Sequence, residues 1–142
     1  MRDSYLDRFR TVVAGIDLSA TSRRALQVAS LIAHGDGARL YAVHVVPDSL
    51  NTYARFGAAV GPDLDAFVNE VTCEHPRLEV HTNVLPYCGY RSGVVDSAAL
   101  VNAGLVAVGT RGRSNLRDLV LGSTAEKILR DSVCAVLAVN PR

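Results

Sequence analysis

Five short apolar runs, Thr11 to Ile16, Arg39 to Val46, Leu78 to Leu85, Leu105 to Val108 and Val133 to Val139, alternate with segments whose apolar residues recur at helical spacing. That alternation leaves few folds open. Strands apolar on nearly every residue need cover on both faces, and helices between them supply it through right-handed crossovers, so the chain reads as α/β with a parallel sheet. Ala25, Val28, Ala29 and Ile32 make the first helical stripe, which Gly35 and Gly37 stop near His34. Leu64, Phe67, Val68 and Val71 make the second, ending before Pro76. Gly89 and Gly93 flank the start of the third, with Val94, Val95, Ala98 and Val101 inward, and Ala125, Ile128 and Leu129 form the fourth. The run at Leu78 alternates least well, which suits an edge. Pro47 to Pro62 has no clean period, and the reading it invites is a lid.

With 142 residues the chain suits one domain, 1–142, with 1–9 as a flexible N-terminal extension. Fifteen Lys and Arg against fourteen Asp and Glu leave no basic footprint for nucleic acid, so any anion site must be local. No apolar run approaches the ~20 residues that span a bilayer, so no membrane partner is expected. MRDSYLDRFR has no apolar signal core, and a cytoplasmic protein is the expectation. Cys73, Cys88 and Cys134 show neither CxxC nor zinc-ligand spacing and read as reduced small hydrophobes, Cys134 within a strand. The P-loop, G-x-G-x-x-G, G-x-S-x-G and H-E-x-x-H patterns are missing.

Chemistry concentrates in Leu105 to Glu126, LVAVGTRGRSNLRDLVLGSTAE. The strand ends at Gly109, a basic loop carries Arg111, Arg113 and Arg117, and Ser123 to Glu126 has the S-x-x-E spacing of a capping box. A helix start exposes N–H groups that lack helical partners and attract anions. Glycines that let the backbone approach a ligand, with arginines nearby, make the segment a phosphate cradle. The bland alternative is a turn kept for folding, with Ser123 only a cap.

Gly109, Gly112, Gly122 and Ser123 fit G-x2-G-x9-G-[ST], and VVAGIDLS, YAVHVV and GSTAEKILRDSVCAVLAV occur in order around them. On these residues, from Val12 to Val139, the chain resembles the universal stress protein family, in particular its ATP-binding branch. The resemblance implies a Rossmann-like, adenine nucleotide alpha hydrolase-like fold: an open twisted five-stranded parallel sheet, order 3-2-1-4-5, with helices on both faces. Such sheets bind ligands past the carboxyl ends of the strands where strand order reverses. The function implied is an adenine-nucleotide (ATP) binding regulatory domain acting in stress response. A slow ATPase or nucleotidyl-transfer enzyme, or a nucleotide-free interaction module, is the alternative, and AMP or cyclic AMP would suit the same pocket.

The residues that the resemblance assigns to the nucleotide are Gly15, Asp17, Val45, Gly109, Thr110, Arg111, Gly112, Arg113, Ser114, Asn115, Gly122, Ser123, Thr124 and Ala125. Asp17 would meet the nucleoside end or else cap the first helix, and Val45 would touch adenine through its main chain. A Cβ at Gly109 or Gly112 would clash with the ribose-phosphate or force a left-handed backbone. Ala125 departs from relatives that carry a hydroxyl there. Mg²⁺ would be held through the phosphates and water, without a protein carboxylate cluster. His44 reads as a satisfied strand residue, and His75 and His81 as surface or edge residues. The last strand is too apolar for an open edge, so a homodimer through Val133 to Val139 is expected, as is common in the family.

Overall fold

Thr11–Gly15 (β1) is buried along its whole length, and this central strand orders the rest. Its neighbours are Arg39–Pro47 (β2) on one side and Leu105–Gly109 (β4) on the other, both parallel to it. Val80–Tyr87 (β3) pairs with β2 and Ala135–Val139 (β5) with β4, giving the expected order β3-β2-β1-β4-β5. This computed structural model describes residues 9–47, 58–87, 90–110 and 123–141.

Alternate strand residues feed two cores. Val12, Ala14, Ile16, Leu40, Ala42 and Ala107 face Ala20–Asp36 (α1) and Ala58–Thr72 (α2), packing on Leu26, Ala29, Ala33, Leu64 and Val68. Val13, Val43, Val45, Val106 and Val108 face Tyr90–Leu100 (α3) and Ser123–Asp131 (α4), packing on Val94, Ala98, Ala125 and Ile128. Two helices thus cover each face, as the apolar strands require. Among the described residues no helix is long and apolar enough to cross a membrane.

Several local expectations shift. The buried stripe of α1 includes Leu26, Ser30 and Ala33, while Val28 and Ile32 are only half-buried. Ser30 tolerates burial because its hydroxyl donates to the Leu26 carbonyl at 2.7 Å. Gly35 lies inside the helix, and Gly37 alone provides the left-handed stop, φ 66°, with its N–H turned back to Ala33 and His34. α2 begins at Ala58, inside the segment read as a lid, and carries Pro62 close enough to its start to forfeit a single helical bond. Residues 48–57 of that segment lie outside the described residues. Gly93 belongs to α3, which ends where Asn102 adopts φ 54°.

At the far edge, β5 starts at Ala135, so Cys134 precedes the strand and Val133 is 90% exposed. Leu129, expected inward, is 44% exposed on α4. Cys73 and Cys134 are both free thiols, and burial pushes the Cys134 thiol above its ordinary range. Phe9 precedes β1 and is anchored by its N–H, which donates to Asp36 at 2.7 Å, while its ring packs against Gly104.

The two glycines of the α1 terminus should respond oppositely to a methyl group, since neither added Cβ would meet another atom within 4 Å. Gly35→Ala should raise unfolding free energy by about 0.5–1 kcal/mol by relieving helix-interior entropy. Gly37→Ala should lower it by about 1–2 kcal/mol, the strain of a left-handed residue with a Cβ. Urea unfolding of both variants checks the pair.

Candidate functional site

The sheet reverses its winding at β1, whose carboxyl end lies beside that of β4 through the register Ala14↔Ala107. Gly15 still pairs with Val43, and Ile16 N–H donates to the Val43 carbonyl at 2.8 Å before the chain leaves the sheet. Asp17 then folds an Asx turn, its Oδ1 accepting from Ser19 N–H at 2.9 Å. Leu18 is held at φ 65°, a conformation costly for a side chain of its size and of a kind that gathers at binding turns.

Capping of α1 falls to Ser19, not Asp17. The Ser19 hydroxyl accepts from Ser22 N–H at 3.1 Å, and Ser22 returns its own hydroxyl to the Ser19 carbonyl at 3.0 Å. Asp17 is thereby relieved of a capping duty. It is half-buried, and among the described residues its second carboxylate oxygen meets no partner.

The ladder between β1 and β2 stops one rung early. Arg39 N–H donates to the Arg10 carbonyl and Leu40 N–H to the Glu79 carbonyl, so odd residues of β2 turn their amides to β1 and even residues to β3. The rung after Ile16–Val43 would run from Val45 N–H to the Ile16 carbonyl. That carbonyl instead lies 2.7 Å from His44 Nδ1, which must carry the proton and donate it. His44 is thus a satisfied strand residue with a structural consequence. Val45 holds its N–H and C=O toward the space past the end of β1, and its side chain is buried. Among the described residues no main-chain bond fills that position.

Gly109 is required for a reason other than the expected one. Its φ is not left-handed, and what an added Cβ would meet is Thr21: Cγ2 at 2.5 Å, Cβ at 3.2 Å and the carbonyl carbon at 3.3 Å. The first turn of α1 therefore lies directly on the end of β4. Thr21 went unnoticed in the sequence because nothing local marks a contact between such distant residues. Thr110 follows, its N–H donating to the Val139 carbonyl at 2.9 Å and its hydroxyl to Asn140 at 3.2 Å, so it is engaged with the end of β5.

α4 starts at Ser123 as expected, with Ala125 buried against the sheet. Glu126 makes an i,i+4 pair within the helix, its Oε1 accepting from Arg130 Nη2 at 2.9 Å. It still places negative charge in the first turn, where the helix dipole favours it. Arg111, Gly112, Arg113, Ser114, Asn115 and Gly122 lie outside the described residues, as do the side chains of Ser123 and Thr124. The structure thus brings together Gly15, Asp17, Val45, Gly109 and Thr110 at the carboxyl end of the sheet. Among the described residues no group of three or more His, Cys, Asp and Glu could hold a metal ion.

The universal stress protein family model matches residues 8–140. A curated relative, universal stress protein A homolog 1 of Coxiella burnetii, is 32% identical over 139 residues, covering 92% of this chain and 96% of its own. A universal stress protein of Thermus aquaticus is likewise 32% identical over 138 residues, covering 93% and 99%. Among solved structures, a universal stress protein from Archaeoglobus fulgidus superposes with TM-score 0.78 at 24% identity, covering 92% of this chain and 98% of that one. Another, in complex with cAMP, superposes with TM-score 0.77 at 25% identity, covering 94% and 99%. The A. fulgidus complex with dAMP gives TM-score 0.76 at 22% identity, covering 92% and 97%.

Gly109→Ala tests the packing at the crevice without any ligand. The clash reaches the Thr21 backbone carbon, so a side-chain rotation cannot absorb it, and about 1–3 kcal/mol of stability should be lost as in other overpacked sites. Thr21→Ser removes Cγ2 and should restore only part of that loss in the double variant. Urea unfolding of the ligand-free proteins measures both, and a Gly109→Ala protein as stable as its parent would contradict the packing role.

Proposed function

The chain belongs to the universal stress protein family, and from that premise we propose that its crevice binds an adenine nucleotide, ATP in the first place, as a regulatory ligand in stress response. The observation that carries the reading is the interrupted ladder at Val45. A strand residue whose own N–H and C=O both face a crevice offers one donor and one acceptor side by side, which matches the ring nitrogen and amino group of adenine. Buried main-chain groups without partners are rare, and a ligand edge is one way to satisfy them. Asp17 would accept from a ribose hydroxyl with its second oxygen, since its Asx turn uses only the first. A carboxylate repels phosphate, which places it at the nucleoside end.

The phosphates would then extend past Gly109 toward the start of α4, where unpaired N–H groups and the helix dipole favour anions. Gly15, Thr110, Arg111, Gly112, Arg113, Ser114, Asn115, Gly122, Ser123, Thr124 and Ala125 complete the proposed contacts. Mg²⁺, where it accompanies the triphosphate, would be held by phosphate oxygens and water. The relatives solved with cAMP and dAMP support an adenine ligand in this fold.

The proposed assembly is a homodimer through β5. Val139 turns its carbonyl to Thr110, so Val136 and Ala138 point their amides away from the sheet and leave an open, apolar edge. A second copy pairing there would close it.

Thermal unfolding with MgATP, AMP and cAMP tests the ligand. A nucleotide present at 100 times its Kd should add about 2.7 kcal/mol of stability. Asp17→Asn keeps an oxygen for Ser19 N–H, so it should fold normally yet bind about tenfold more weakly, the loss of one charge-assisted hydrogen bond. Unchanged melting with all three nucleotides would end this reading.

The dimer has its own test. Ala138→Pro removes an outward amide and leaves the ladder to β4 intact, so the variant should sediment as a monomer with a native circular dichroism spectrum. A parent protein that is itself monomeric at micromolar concentration would refute the assembly.

A further inference from the structure

The opposite, amino-terminal end of the sheet holds a cavity of about 480 Å³, lined among others by Arg10, His34, Gly37, Arg39, Arg77 and Glu79. That volume lies within the range of small-ligand pockets, roughly 300–1,000 Å³. Its lining holds three arginines against one carboxylate residue, in a chain whose formal net charge is only +1. The positive charge is therefore gathered locally. We propose that this cavity is a second ligand site, for a small molecule bearing a phosphate or pyrophosphate group.

Two of these arginines, Arg39 and Arg77, are only loosely held. Glu79, the carboxylate of the lining, is engaged by His81, whose Nε2 lies 2.7 Å from Oε2, while Arg39 Nε makes only a long, solvent-exposed ion pair with the same oxygen at 3.9 Å. Among the described residues Arg77 meets no carboxylate. The carboxyl end of α1 would ordinarily repel an anion, but two of its terminal carbonyls are occupied: Ala38 N–H donates to Ala33 at 2.8 Å and Gly37 N–H to His34 at 3.4 Å. Arg10, Arg39 and Arg77 enter from three different segments, ahead of β1, at the start of β2 and ahead of β3. Planar forks carried on separate segments suit the tetrahedral oxygens of a phosphate better than a flat carboxylate, which is served by one fork in its own plane. The main-chain amides of Ala38 and Arg39 are already bonded, so recognition falls to side chains.

The experiment is a titration of the ¹⁵N-labelled full chain with sodium pyrophosphate at constant ionic strength, since exposed charges are screened by salt. The amides of His34, Gly37, Arg39, Arg77 and Leu78 should shift together and saturate, with Kd at or below about 1 mM. Arg39→Ala and Arg77→Ala should each weaken binding about tenfold, the loss of a charge-assisted contact. Arg39 is 59% exposed, and unmoved resonances elsewhere would confirm that its variant is folded. Glu79→Gln should tighten binding by removing the competing carboxylate. Shifts that do not saturate, shifts confined to residues 15–17 and 123–126, or an Arg39→Ala/Arg77→Ala protein that binds like its parent would overturn the site. Malonate binding as tightly as pyrophosphate would overturn the phosphate assignment.

Discussion

A strand with partners on both sides and helices on both faces can be left by its chain only at the end, and β1 is such a strand. Its exit is tightly determined. Ile16 stays buried and keeps one last bond to β2, Asp17 and Ser19 tie the turn to itself, and Thr21 sets the first turn of α1 on Gly109. Every one of these contacts fixes the same few residues. The crevice is what remains when β2 runs on beyond them, with the Ile16 carbonyl met by the His44 ring where the next ladder bond, from Val45 N–H, would fall. A fold with a fully paired sheet at this point would have no main-chain edge to offer a heterocycle.

The strain at Leu18 fits this account. A leucine in the left-handed region costs roughly 1–2 kcal/mol relative to a relaxed conformation, and the surrounding bonds on both sides hold it there. Glycine would remove the strain but would also let the turn move. The retention of a bulky residue, which packs onto the first core, trades local comfort for a fixed position of Asp17.

How far the sequence foretold this can be judged from particular residues. The apolar runs revealed the strands because burial on both faces leaves little choice of side chain, and the strand order followed from the family likeness. The stripe of α1 was misjudged by part of a turn, since Val28 and Leu26 are equally apolar and only the neighbouring helix and sheet decide which is enclosed. Leu129 looked like a core residue and Val133 like the start of the last strand, because hydropathy cannot tell an enclosed position from an exposed one. Glycines were the least legible. Gly35, Gly37 and Gly109 look alike in sequence, yet one is a plain helix position, one a left-handed stop and one a close approach of helix to strand. The distinction rests on contacts with distant residues or on backbone angles, neither of which is written locally. The role of His44 beside Val45 was visible as a satisfied side chain, but its displacement of a ladder bond needs coordinates to be seen.

α1 also sets the relation between the two ends of the molecule. Its first turn, capped by Ser19, borders the crevice, and its last, closed by Gly37, borders the arginine-lined cavity. Seventeen residues at 1.5 Å each make a rod of about 25 Å, too long for direct electrostatic contact between ligands at its two ends in physiological salt. Any influence of one site on the other must therefore pass through the position of the helix itself. The contacts that oppose such movement are Thr21 on Gly109 and the Arg23–Glu70 pair to α2 in its first turns, Leu26, Ala29 and Ala33 packed on the core along its length, and Phe9 on Asp36 at its end. The Arg23–Glu70 pair is exposed and weak, whereas Thr21, Leu26, Ala29 and Ala33 sit in a packed core that does not deform continuously. Seated on that core along its length, the helix would have to shift as a rigid body, so a displacement imposed at one end would be carried to the other.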